Sequence, residues 1–146
     1  MDLQAAYYCT ELLKIKRGFT KNNKVSNAKI YLLLSIIDRI EQKSLSENRI
    51  YFDELTRHNY MEQCKQHLDV VTPIVKPYFH LSTSLFYHIK WKEGIKIHSY
   101  AKTPSCKFIK ENAEYAYLDE DLWTLLKNND FRQQIYQIII RAYLSK

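Results

Sequence analysis

Apolar residues recur every three to four positions along much of the chain, and this spacing predicts helices. The densest pattern lies between residues 28 and 43, and its main stripe consists of Ile30, Leu33, Leu34, Ile37 and Ile40. Leu32 and Ile36 widen this stripe, so the helix is expected to be buried on most sides and to form the centre of the core. Ser26 or Asn27 is suited to cap its N-terminus.

Weaker helical patterns lie on both sides of this segment. One spans residues 2–16, with Asp2 as the N-cap and Gly18 after its end. Its apolar side consists of Leu3, Ala6, Tyr7, Leu13 and Ile15. Another helix is predicted from its N-cap Asp53 to residue 71, because Pro73 cannot continue a helix.

The last third of the chain predicts three further helices. The first covers residues 105–112, with Pro104 near its start. Asp119 is suited to cap the second helix, whose core side consists of Leu122, Leu125 and Leu126. Asp130 is the expected N-cap of the last helix, whose buried stripe consists of Ile135, Ile138, Ile139, Ala142 and Tyr143.

Short alternating patterns predict a small amount of β-structure. Residues 49–52 are typical of a short strand, and residues 86–91 and 95–98 flank a turn, which predicts a hairpin with Gly94 at its strained position. The lysines and histidines of this hairpin favour either a nucleic-acid-binding wing or an edge strand protected by charge. The chain is therefore predicted to be mainly α (α+β), a helical domain around one buried central helix with a small β-hairpin.

Composition supports one domain over residues 1–146, since 46% of the residues are hydrophobic and can form a substantial core. Only two glycines are present, which disfavours sandwiches and barrels. The three cysteines are far apart and form no CxxC pair, which argues against a zinc site or a disulfide framework and favours the cytoplasm. We expect no signal peptide and no membrane span, because no apolar run approaches about 20 residues.

Positive charge is concentrated near the N-terminal third of a chain whose formal net charge is +6. The segment from residue 14 to residue 29 contains no acidic residue, and its basic residues are Lys14, Lys16, Arg17, Lys21, Lys24 and Lys29. This run can be a solvated surface or an anion-binding loop. The second interpretation gains support because the run leads into a helix N-terminus, where backbone amides and the dipole favour phosphate.

The segment from Thr72 to Trp91 combines two prolines with aromatic and basic residues. Because proline fixes φ and lacks an N–H donor, we expect a stiff backbone here that does not lie within a helix. An apolar ridge edged by cations suits a surface that meets a partly apolar, partly anionic partner. We assign this role to Pro77 and its neighbours Lys76, Tyr78, Phe79 and His80, although each aromatic ring taken singly is typical of a core.

No motif of a known catalytic centre is present: the chain lacks a phosphate-binding GxxxxGK[ST], an HExxH and a GxSxG. His58 and Asn59 are reminiscent of HNH nucleases, but they lie on a predicted exposed helix face without the ββα-metal unit. We therefore expect no catalytic residues, no metal and no cofactor in this chain.

Three stretches in order, SNAKIYLLLSIIDRI, KPYFHLSTSLFYHI and AEYAYLDEDLWTLLKNNDFRQQIYQIIIRAYL, resemble the N-terminal DNA-reading domain of McrA-like HNH restriction endonucleases. This sulfur-binding-domain family recognises phosphorothioate-modified DNA in bacterial defence. The resemblance covers about Lys24 to Leu144. It implies a helical DNA-binding fold, with the nuclease activity in a separate C-terminal HNH domain that this chain lacks.

The resemblance also implies roles for single residues. Pro77 matches the family proline whose ring packs on sulfur, and Lys29 matches a basic residue that contacts the DNA backbone. Ala28 stands where a histidine is usual, Ile30 where a proline is usual, and Lys76 where an apolar residue is usual. Leu85 likewise replaces a glycine of the second motif.

Three hypotheses follow for function. In the first, the chain is a binding module for double-stranded DNA, in plain or modified form, whose contact residues include Arg17, Lys21, Lys24, Lys29, Lys76, Pro77, Tyr78, Phe79 and His80. In the second, it is the specificity subunit or a fragment of a nuclease and acts with an HNH partner. In the third, it is a protein-interaction domain that kept the fold and lost DNA binding.

Overall fold

The computed structural model of the chain describes residues 2–145. These residues form seven α-helices and one two-stranded antiparallel sheet, so the predicted mainly α fold class is confirmed. The α-helices are α1 Leu3–Leu12, α2 Ala28–Glu41, α3 Glu54–Gln66, α4 Val75–His80, α5 Cys106–Asn112, α6 Glu120–Lys127 and α7 Asn129–Ile139, and the strands are β1 Tyr87–Trp91 and β2 Ala113–Leu118. A 3₁₀ turn, Leu81–Thr83, follows α4, and a π-helix, Ile140–Leu144, follows α7. Among these helices, none is long and apolar enough to cross a membrane.

Helix α2 is the centre of the core, as its pattern predicts. It packs against α3, α4, α6 and α7, and Leu32, Leu33 and Leu34 are fully buried on successive faces. Full burial of one such side chain contributes about 1.5–3 kcal/mol, so the apolar surround of α2 is a main source of stability. Ser26 Oγ accepts a hydrogen bond from the amide of Ala28, while Asn27 occupies the N-cap position.

Helix α1 begins as predicted but ends early and buries a different face. Asp2 Oδ1 accepts the amide of Ala5 at 2.7 Å, which confirms the N-cap. The helix ends at Leu12 rather than at residue 16, because the amide of Ile15 bonds to the hydroxyl of Tyr143. The buried positions of the helix are Ala5, Tyr8 and Leu12. Of the predicted apolar side, Ile15 is buried as expected, whereas the prediction was wrong for Leu3, Ala6, Tyr7 and Leu13, which are exposed.

Helix α3 is capped by Asp53, whose Oδ1 accepts the amide of Thr56 at 2.9 Å, as predicted. Its predicted end at residue 71 is wrong, since the helix stops at Gln66. Leu68 has a φ of +54°, and the amides of Leu68 and Asp69 bond to the carbonyls of Lys65 and Cys64. This pair of bonds is a Schellman motif, which ends a helix by a left-handed residue and satisfies its last carbonyls.

The sheet differs from the predicted hairpin in its second strand. Strand β1 forms where predicted, and Gly94 has a positive φ of +84°. Its partner is β2 rather than residues 95–98, with Tyr87 opposite Leu118 and Lys90 opposite Tyr115. This pairing is favoured because Ala116 and Leu118 become fully buried. The predicted wing therefore does not form as a hairpin.

The predicted strand at residues 49–52 is reduced to a single bridge. Ile50 pairs with Ala116 through two backbone hydrogen bonds, of 2.7 and 2.8 Å. The turn at Tyr51 and Phe52 then leads to the cap of α3, so the segment is too short to extend the sheet.

The capping residues of the C-terminal half differ partly from the predictions. Ser105 caps α5 by accepting the amide of Phe108 at 3.1 Å. Asp119 lies at the N-cap position of α6, but its carboxylate accepts the hydroxyl of Tyr8 at 2.8 Å and contacts the ring of His88 instead of capping. Asp130 was wrong as the cap of α7, because Asn128 Oδ1 accepts the amide of Phe131 at 3.0 Å.

The buried stripe of α7 is correct only in part. Ile135 and Ile139 are fully buried, whereas Ile138 and Tyr143 are half-buried and Ala142 is exposed. For Ala142 and Tyr143 the reason is the change to a π-helix after Ile139, since its wider turn shifts the phase of the later side chains.

Candidate functional site

The proline-containing segment forms helix α4, which corrects the expectation that Pro77 lies outside a helix. Pro77 is the third residue of α4, within the first turn. An amide there needs no helical partner, so proline is tolerated at this position. The prediction that these residues form an exposed apolar ridge is wrong as well, because Pro77, Tyr78 and Phe79 are all buried.

Tyr78 and Phe79 attach α4 to the core. The hydroxyl of Tyr78 donates to the carbonyl of Ile50 at 2.7 Å, and the hydroxyl of Tyr87 donates to the carbonyl of Tyr78 at 2.7 Å. The ring of Phe79 stacks on that of Tyr100, with centroids 5.1 Å apart. These contacts fix the position of α4 while Lys76 remains exposed.

A groove of about 1140 Å³ lies beside α4 and the N-terminus of α2. Its lining residues come from four segments, which lie within residues 18–29, 68–73, 76–80 and 100–103. Six of the nine predicted contact residues lie along it: Lys21, Lys24, Lys29, Lys76, Pro77 and His80. Arg17, Tyr78 and Phe79 do not line the groove.

Residues 18–26, which we call the basic loop, form a hydrogen-bonded turn. The amide of Thr20 donates to the carbonyl of Lys24 at 2.7 Å, and the amide of Ser26 donates to the carbonyl of Gly18 at 2.8 Å. Asn23 adopts a φ of +58°, a conformation that asparagine tolerates. Lys21 and Lys24 are exposed on this turn, and within residues 2–145 their ammonium groups have no hydrogen-bond or ion-pair partner.

Arg17 anchors the basic loop to the distant end of the fold. Its Nη1 donates to Asn27 Oδ1 at 2.9 Å and to the carbonyl of Tyr143 at 3.3 Å. The guanidinium also lies 5.0 Å from the ring centroid of Tyr143, a cation–π contact. Its Nη1 is thus directed at the protein rather than into the groove.

Lys29 has a largely structural role at the start of α2. Its Nζ donates to the carbonyl of Lys16 at 2.7 Å and contacts Thr83 Oγ1 at 3.4 Å. Burial, and then the charge of Lys16, lower the pKa of Lys29 from its ordinary value. Lys29 therefore connects the start of α2 to the segments that contain Lys16 and Thr83, and it adds a positive charge to the groove lining.

His80 lies at the C-terminal end of α4, in contact with a loop that the sequence pattern did not single out. One of its ring nitrogens, Nε2, lies 2.8 Å from Thr103 Oγ1. Burial lowers the pKa of His80, and the nearby charges of Lys29 and Lys76 lower it further. The ring is therefore mainly neutral at pH 7, and the fixed positive charge of the groove comes from its lysines.

Asp69 is the one carboxylate among the described residues that line the groove. Its Oδ2 accepts the hydroxyl of Tyr31 at 2.7 Å, and its Oδ1 accepts the amide of Val70 at 2.8 Å. Burial and this carboxylate together raise the pKa of Tyr31. The bond ties the loop after α3 to the central helix and thereby shapes one part of the groove.

Several residues of the groove were not predicted from the sequence. Phe19, Leu68, Tyr100 and Thr103 all line it, as does Asp69. Only the apolar character of Phe19 and Leu68 could have marked them, and that character also fits a core residue.

His58 and Asn59, which were expected to lie on an exposed helix face rather than in an HNH centre, are on α3 and away from the groove. The side chain of His58 is 64% exposed and lies 3.9 Å from Glu62 on the outer face of α3. Within the part of the chain that the structure describes, no cluster of three or more histidine, cysteine, aspartate or glutamate residues is arranged to hold a metal ion.

No model of a known protein family matches the chain, and a comparison with curated proteins likewise finds no match.

Proposed function

We propose that the protein binds the phosphate backbone of double-stranded DNA in the groove between the basic loop and α4. One observation carries this proposal: Lys21 and Lys24 converge with Lys76, more than 50 residues later, on one groove whose lining includes a single carboxylate. Unpaired ammonium groups are suited to neutralise phosphates, which dominate protein affinity for DNA. The resemblance to the DNA-reading domain of HNH restriction endonucleases supports the same assignment.

The first turn of α2 adds to this anion-binding character. Asn27, Ala28 and Lys29 line the groove at the N-terminus of a 14-residue helix. Amide groups and the dipole at such an end attract a phosphate group. The hydrogen bonds of Arg17 and Lys29 hold the basic loop against this helix end, so the positive groups are pre-positioned for a ligand.

Salt-dependent binding of a short duplex tests this proposal. We expect the logarithm of the affinity to fall linearly with the logarithm of the salt concentration, with a slope of about 0.9 for each phosphate that is neutralised. Lys24→Ala and Lys76→Ala should each reduce affinity and lower the slope by about one unit. Fluorescence anisotropy at several salt concentrations measures both quantities.

Two further variants serve as controls in that titration. Lys65→Ala removes an exposed lysine on α3 that does not line the groove, and it should change neither affinity nor slope. Asp69→Asn removes the carboxylate of the groove but retains an acceptor for Tyr31, so it should tighten binding. Absence of binding at low salt would contradict the proposal and favour a protein-interaction domain.

Recognition of a phosphorothioate is the finer part of the proposal. A sulfur atom is larger and less hydrated than oxygen, and a buried proline ring at the groove wall offers it an apolar contact. Pro77 lines the groove beside the exposed Lys76, which suits a ligand group with both an apolar and an anionic part.

A comparison of two duplexes that differ by one phosphorothioate tests this part. We expect tighter binding of the modified duplex, and we expect Pro77→Ala to remove that preference while binding of the plain duplex persists. Pro73→Ala is the matched control, because Pro73 lines the same groove outside α4. Equal affinity of the unaltered protein for both duplexes would contradict recognition of the phosphorothioate. The protein would then bind only the ordinary phosphate backbone.

In the resembled family, cleavage belongs to a separate HNH domain. We therefore propose that this chain supplies DNA recognition to a restriction system, and that any nuclease activity resides in an HNH partner or a further domain. Metal-dependent cleavage of DNA by the purified chain alone would contradict this division of roles.

A further inference from the structure

Two large apolar side chains are exposed on the same groove that holds the lysines. Leu68 is 95% exposed and Phe19 is 73% exposed, and both line the groove. Val70 and Tyr100 add smaller exposed apolar areas along it. Single exposed apolar residues are ordinary on a protein surface, but a group of them around a basic groove indicates a partner with apolar as well as anionic parts.

Leu68 is unfavourable in this position on two separate grounds. Its φ of +54° places a side chain in the left-handed region, at the position of a Schellman motif where glycine is usual. Its side chain is almost entirely in solvent, so no packing within the described residues compensates for this conformation. Glycine would relieve both disadvantages, and a strained residue of this kind at a groove motivates a functional hypothesis.

Phe19 is presented by a rigid support rather than by a loose loop. It forms an isolated bridge with Val25, and backbone hydrogen bonds of 2.7 and 2.8 Å close the turn on both sides of that bridge. Gly18 and Thr20 flank it, and Lys21 and Lys24 follow on the same turn. An apolar ring is thus fixed within a few residues of two cationic groups.

We propose that Phe19 and Leu68 act as wedges that insert between bases of DNA held in the groove. This inference rests on the proposed binding of DNA. The lysines hold the phosphates, and the adjacent stacked bases provide the apolar surface that these side chains lack. Apolar side chains inserted at a base step partly unstack it and kink the duplex, which allows more of the backbone to contact the protein.

Charge and shape favour DNA over a membrane surface as the partner. Lysines would attract either one, but here they lie in a concave groove with a carboxylate, Asp69, in its lining. A lipid surface is contacted best by a basic face from which apolar side chains project together. A phosphate backbone can enter a groove, and its bases then lie beside the groove margins.

Fluorescence of 2-aminopurine, placed within a short duplex, tests the proposal because its emission rises when the base unstacks. We expect the full chain to raise the emission on binding. Leu68→Gly, which suits the left-handed conformation, and Phe19→Ser should each lose this rise. Both variants should still bind the duplex in a salt-dependent way in an anisotropy titration, because the lysines are still present, but with lower affinity than the unaltered protein.

Leu3→Ser is the matched control, since Leu3 is 91% exposed on α1 and does not line the groove. It should retain the emission rise. The insertion of Phe19 and Leu68 would be contradicted if binding were salt-dependent but did not raise the 2-aminopurine emission. It would also be contradicted if both groove variants still raised the emission. Either result would leave the DNA-binding proposal intact. A lack of DNA binding at low salt would overturn both the DNA-binding proposal and the insertion of the two side chains. If vesicles containing phosphatidylserine then bound the unaltered chain but not Leu68→Gly, Phe19 and Leu68 would instead contact a membrane.

Discussion

Replacing Phe79 with alanine is expected to lower the free energy of unfolding by about 3–5 kcal/mol. The ring is 1% exposed and packs on three other rings, those of Tyr100, Trp91 and His80. Its removal leaves a cavity between α4 and the loop that contains Tyr100, and the loss of buried apolar surface adds to the cost of this cavity. Urea denaturation followed by circular dichroism measures this change.

Phe19 provides the matched control for this variant. It is also a phenylalanine beside the groove, but it is 73% exposed, so Phe19→Ala should change stability by less than about 0.5 kcal/mol. If Phe79→Ala behaved like Phe19→Ala, the ring would not be a core residue. The assignment of Phe79 to the support of the groove would then be wrong.

The second large effect is expected for Arg132→Met, which should lower the free energy of unfolding by about 2–3 kcal/mol. The guanidinium is buried at the turn between α6 and α7. It donates to the carbonyl of Leu126 at 3.0 Å and to Asn129 Oδ1 at 2.6 Å, and it pairs with Glu41 at the end of α2. Methionine has a similar apolar length but leaves the terminal carbonyl of α6 without this donor.

A surface ion pair separates the effect of burial from that of charge. Arg57 pairs with Glu54 at 2.9 Å on α3, and both side chains are more than half exposed. Because water and salt screen such a pair, Arg57→Met should cost less than about 1 kcal/mol in the same denaturation experiment. Equal effects of the two substitutions would show that the hydrogen bonds of Arg132 do not contribute as proposed.

The helical part of the fold follows from local rules that the sequence displays. The continuous apolar pattern of α2 has no other stable arrangement than burial, and Asp2, Asp53 and Ser105 cap helices by local hydrogen bonds. The error in the sheet occurs where a distant contact decides. The pairing of β1 with β2 rather than with residues 95–98 depends on burial of Ala116 against Ile50, which no local pattern shows.

The candidate site was predictable in its charges but not in its construction. A run of lysines without acids indicates an anion-binding surface, and Lys21, Lys24 and Lys76 do lie along one groove. The same pattern cannot show that Arg17 and Lys29 are committed to backbone carbonyls. The pattern also cannot show that Tyr78 and Phe79 are buried, because aromatic residues occur both in cores and on binding surfaces.

The anchoring of the basic loop has a consequence for the order of events during synthesis. Arg17 and the carbonyl of Tyr143 that it contacts are 126 residues apart in sequence. At about 5–20 residues per second, translation needs roughly 6–25 seconds to pass from one to the other. Throughout that interval the contact between Arg17 and Tyr143 is absent, so the proposed anion-binding surface is completed late, after most of the helices have had time to form.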